Sequence, residues 1–73
     1  MLQQIQAVSL LNERDVVVVG VEGSERLLDG VVFGFDFTNE GDFPLIKITS
    51  SVEDAGEYAG RVLANGEYNA VYR

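Results

Sequence analysis

Val31-Val32-Phe33-Gly34-Phe35-Asp36-Phe37-Thr38 is the stretch on which the fold turns. In an extended chain successive side chains alternate between two faces. Val31, Phe33, Phe35 and Phe37 then share one side, and Val32, Gly34, Asp36 and Thr38 share the other. Three aromatic rings in a row predict a central strand, with Phe33, Phe35 and Phe37 in the core beneath a helix.

The flanking segments read outward from that strand. Asn39-Glu40-Gly41-Asp42 is a turn between two apolar runs. Phe43 to Thr49 follows as a second strand. Its Pro44 cannot donate to a ladder, so it belongs at the strand's start or on an edge. On the other side, Gly23 to Gly30 is short and polar at its ends and closes on Asp29-Gly30, a turn pair. Leu27 and Leu28 can instead extend the central strand. Val16 to Val19 is a run of four β-branched residues, which suits a strand and disfavours a helix. Being apolar on both faces, it predicts an interior strand. Asn12 to Asp15 is a polar turn. Met1 to Leu11 fits either period, and the lack of a capping residue before Leu2 favours a strand.

Ser51 with Asp54 three residues later has the spacing of a capping box. Val52, Ala55, Ala59, Val62 and Leu63 make a stripe at helical spacing, and Asn65-Gly66 follows as a C-cap. Glu57 and Arg61 are spaced to pair along that helix. Gly56 and Gly60 each cost ~1 kcal/mol within a helix, which close approach of a neighbouring backbone would justify. Glu67 to Arg73 alternates as a last strand. The predicted fold is a single α+β domain over residues 1–73. It has a small antiparallel β-sheet of four to five strands, with one α-helix at about residues 51–64 packed on one face.

Composition narrows the chemistry. A chain of 73 residues supports a small core, buries only ~60% of its unfolded surface, and often gains stability from a second subunit. Without cysteine or histidine it has no disulfide, no Cys/His zinc site and no histidine base. Twelve acidic against five basic residues give a formal charge of −7. Direct binding to a nucleic-acid backbone, which needs Lys/Arg clusters, is not expected. Neither a signal peptide nor a ~20-residue apolar span is apparent, which places the chain in a cytoplasmic setting without a membrane role.

Several constellations invite a site. Asp36 to Gly41 spaces oxygens as the front of a calcium loop does, but the twelfth position is Lys47, a cation, so a strand-to-strand turn is the better reading. Gly20 to Ser24 lacks the spacing and lysine of a phosphate loop. The carboxylate pairs Glu53/Asp54 and Asp36/Asp42 could work as acid and base only in a dehydrated cleft, for which so short a chain has little room. No metal or cofactor is expected, nor an enzymatic activity. From Asp36 to Glu57 six acids face one base, Lys47. Tyr58, Tyr68 and Tyr72 join apolar bodies to polar tips, as in binding surfaces, although bordering the core explains them equally.

The expected function is a small non-enzymatic protein-binding module that meets a basic partner through Asp36, Glu40, Asp42, Glu53, Asp54, Tyr58, Tyr68 and Tyr72. In size and charge the chain is similar to small acidic phage proteins that block host nucleic-acid enzymes. That likeness implies an inhibitor occupying a basic nucleic-acid-binding surface. The alternative is an assembly subunit that self-associates, as a homodimer for example, through a sheet face or an edge strand.

Overall fold

The computed structural model describes residues 3–5, 11–21, 23 and 26–73. Five strands form one sheet: β1 Val16–Val21, β2 Leu27–Thr38, β3 Gly41–Ile48, β4 Val62–Leu63 and β5 Tyr68–Tyr72. Their order is β4-β3-β2-β1-β5, with every neighbouring pair antiparallel. One short helix, α1 Val52–Ala55, continues into a 3-10 turn at Gly56–Tyr58. The chain is thus the expected α+β arrangement of an antiparallel sheet and one helix. Of the ambiguous first segment, Gln4 bridges to Tyr72, and Ile5 donates its N–H to the Val71 carbonyl at 2.8 Å. The rest of that segment lies largely outside the described residues.

The sheet curls so strongly that its two edges come together. Only residues 64–67 join β4 to β5, although these strands stand at opposite edges. Across the gap the Tyr68 hydroxyl donates a 2.6 Å hydrogen bond to the Pro44 carbonyl. The concave face therefore encloses most of the core itself. Val17, Val19 and Val21 of β1 meet Leu28 and Val32 of β2, Ile46 and Ile48 of β3, Leu63 and Val71. Leu11 and Ala55 belong to the same cluster, and the partly buried Ile5, Phe35, Tyr58 and Ala59 pack against it.

The central strand departs from simple alternation. The β2–β3 register runs Val32↔Ile46 and then Gly34↔Leu45, which leaves Phe33 as an extra residue in a bulge. A bulge shifts the side-chain parity beyond it. Phe33 therefore points to the convex face and is 57% exposed, while Phe35 and Phe37 continue on the concave side with Val32. Phe35 is half-buried against the core. Phe37 lies beyond the cover of the other strands and is 76% exposed. The three rings do not form a common core; Leu28, Gly30 and Val32 hold that place.

Other expectations change for definable reasons. Asp29-Gly30 is not a turn but lies within β2, where Gly30 allows close packing. A Cβ there would stand 2.6 Å from the Ile46 methyl and 3.1 Å from the Lys47 carbonyl. The helix is shorter than residues 51–64, because Gly56 takes φ +58° and Gly60 φ +76°, which end it. Val62 and Leu63 join the sheet instead, and Val52 faces solvent. Asn65-Gly66 turns the chain between β4 and β5. Ser51 caps no backbone N–H; its hydroxyl reaches the Asp54 carboxylate at 3.3 Å. Arg61 pairs with Glu67 at 3.4 Å rather than with Glu57.

The convex face is apolar for its position. Val16↔Val31, Val31↔Lys47 and Lys47↔Val62 line up as one row across β1, β2, β3 and β4. Val16 is 75% exposed and Val62 40%. The next row places Tyr72, Val18 and Asp29 side by side, and Phe33 and Leu45 lie on the other flank.

Candidate functional site

The β2–β3 hairpin outruns its neighbours. β1 ladders with β2 only over Leu27–Val31, and β4 meets β3 only at Ile46 and Lys47. The far end of the hairpin, residues 36–42, is therefore a two-stranded projection. Its turn is held by side-chain bonds: the Thr38 hydroxyl donates to the Gly41 carbonyl at 2.8 Å and accepts from the Glu40 N–H at 3.2 Å. Gly41, at φ +135°, supplies a conformation that other residues resist.

On this end Phe37 stands opposite Asp42, and Asp36 stands opposite Phe43. Asp36, Glu40 and Asp42 are exposed and, among the described residues, enter no ion pair. The site is an exposed ring with Asp42 across from it, Asp36 on the opposite face of the strand and Glu40 in the pinned turn.

Glu53 and Asp54 do not join it. They occupy the first turn of α1, beyond the other end of β3. The eight residues of β3 separate the two acidic groups by roughly 25 Å. Asp54 is also engaged by Arg26 at 3.6 Å, an exposed pair of little energetic weight. The tyrosines are dispersed as well. Tyr58 is half-buried under the Arg61 guanidinium, 5.6 Å from its ring centre. Tyr72 lies half-buried on the convex face beside Val18. Tyr68 is buried, and burial pushes its phenol up to about 12.

A cleft of about 270 Å³ runs along the seam between hairpin and β5, with Phe43, Ile5 and the amides of Gln4, Asn65 and Asn69 on its walls. It is smaller than the ~300–1,000 Å³ usual for ligand pockets, and its lining carries no ionisable group except the Tyr68 phenol. Among the described residues no cluster of acids could hold a metal ion. No helix among them is long and apolar enough to cross a membrane.

Alternation alone placed Phe37 in the core. Gly34 is the signal that could have separated Phe33 from the other rings, since a glycine inside a strand often marks a bulge, whereas the exposure of Phe37 follows from how far β1 and β4 extend. The apolar row on the convex face is invisible without the registers of four strands. Comparison of the chain with family models, with curated proteins and with solved structures gives no match.

Proposed function

We propose that the protein is a non-enzymatic protein-binding module that docks through the end of its β2–β3 hairpin. The observation that carries this reading is Phe37, a large apolar side chain 76% exposed at the pinned end of a hairpin that also carries Asp36, Glu40 and Asp42. Leaving such a ring in water is unfavourable, and a partner's pocket would remove that cost. The three carboxylates select a pocket rimmed by Lys and Arg and speed the encounter. In its sharpest form the partner surface is one that otherwise takes a nucleic-acid backbone, so the protein acts as an inhibitor. Cysteine-free, the chain suits a cytoplasmic setting.

The test is capture from the native host with immobilised wild type, Phe37→Ala and Glu53→Lys, followed by mass spectrometry and binding of the purified pair. The expected result is one partner held by wild type and Glu53→Lys but released by Phe37→Ala, with a loss of about 2 kcal/mol or more. A partner bound equally by all three proteins would contradict the proposal.

A further inference from the structure

We infer that the convex face of the sheet is the contact between two copies of this chain, paired by a two-fold axis between Asp29 and Lys47. The inference is independent of the hairpin reading, because the rows involved lie away from the hairpin end.

The face is apolar but carries an ammonium in its middle. Lys47 lies between Val31 and Val62 in the row begun by Val16, and among the described residues it has no carboxylate partner. Any surface that covers this row buries the ammonium, which is costly unless an acid meets it. The same face supplies that acid. Asp29 lies one row along, on the adjacent strand, since Val31↔Lys47 and Val18↔Asp29 set the two rows. Its carboxylate is exposed, while its backbone is fixed by the Ser50 hydroxyl at 2.8 Å and the Thr49 N–H at 2.9 Å. Diagonal neighbours in a sheet stand ~7–8 Å apart, and within one chain Lys47 and Asp29 form no ion pair among the described residues, so both charges are open to a second copy. A two-fold axis lying in the interface, midway between them, sets each Lys47 opposite Asp29 of the second copy. Two ion pairs then form within an apolar contact made by Val16, Val31, Phe33 and Val62.

The β4 and β3 edge of the sheet is a poor alternative. β4 has only two residues. The free half of β3 contains Pro44, which has no N–H, and its carbonyl is taken by Tyr68. Among the described residues Glu40, Asp42, Glu53 and Glu57 lie outside these rows, where repulsion between copies is screened beyond ~8 Å at physiological salt.

The experiment is sedimentation velocity of the full chain up to high micromolar concentration, in low and high salt. Wild type should dimerise, and the dimer should persist or strengthen as salt rises. Lys47→Asp and Asp29→Lys should each weaken it about tenfold or more, because like charges then meet twice. Mixing these two variants should restore a one-to-one dimer, because both pairs are again of opposite sign. Val16→Lys, at a position 75% exposed, gives a second disruption without touching the core. Circular dichroism checks that each variant is folded. A monomeric wild type, or a dimer that all these variants leave unchanged, would overturn the inference. So would variants that weaken the dimer singly but fail to pair when mixed.

Discussion

The Tyr68 hydroxyl donates a 2.6 Å hydrogen bond to the carbonyl of Pro44, joining the last strand to the opposite side of the curled sheet. Both residues are buried, so this bond replaces water for two polar groups at once. It also consumes an acceptor that a foreign strand would need. Tyr68→Phe leaves the carbonyl buried without its donor and should cost ~1–3 kcal/mol in urea denaturation. An unchanged midpoint would show that the seam is not closed by this bond.

The same residue sets an alkaline limit. Burial raises the Tyr68 phenol to about 12, above its ordinary 10.0. The folded state thus holds the proton more tightly than the unfolded state. The contribution is fully present below pH 10 and is lost as pH rises toward 12, by at most about 2–3 kcal/mol. Denaturation measured from pH 9 to 12 should show this fall in wild type and lack this component in Tyr68→Phe. Parallel pH profiles for the two proteins would contradict the assignment.

The three phenylalanines should separate by energy. Phe35→Ala removes a ring packed on the core and should cost ~1.5–3 kcal/mol. Phe37→Ala should change stability by under ~0.5 kcal/mol, because its ring is in water. Denaturant midpoints decide between this order and a common core, in which both would fall alike.

Period-two reasoning identified β2 as the organising strand, yet it misplaced these rings. The pattern Val31 to Phe37 is unbroken in sequence, whereas the ladder skips Phe33. Only the register with β3 reveals that step. β1, β3 and β5 were legible because Val16 to Val19, the Asn39–Asp42 turn and the Tyr68–Tyr72 alternation are local signals. The helix was legible at its start but not in its length. Ala59, Val62 and Leu63 satisfy helical spacing, and nothing in composition shows that Gly56 and Gly60 adopt positive φ. Of the acidic residues, the hairpin trio stayed together because the turn itself is local. Glu53 and Asp54 depended on where α1 docks, which is a tertiary outcome.

Glycine substitutions test that backbone account. Gly60→Ala in a continuous helix would stabilise by ~1 kcal/mol. At φ +76° it should instead destabilise by about 1 kcal/mol. Gly30→Ala should cost ~2 kcal/mol or more through its contact with Ile46, while Gly34→Ala, with open space around it, should lie within ~0.5 kcal/mol. Thermal melts of the three proteins supply the order.

In the proposed docking the hairpin end, and not the acidic helix start, meets a basic partner. The most direct measurement is the association rate with the captured partner at low and high salt, for wild type, for Glu40→Lys with Asp42→Lys, and for Glu53→Lys. The hairpin variant should associate about tenfold more slowly at low salt and lose most of the salt dependence seen in wild type, whereas Glu53→Lys should stay close to wild type. Equal rates for all three proteins, or a loss confined to Glu53→Lys, would contradict the account.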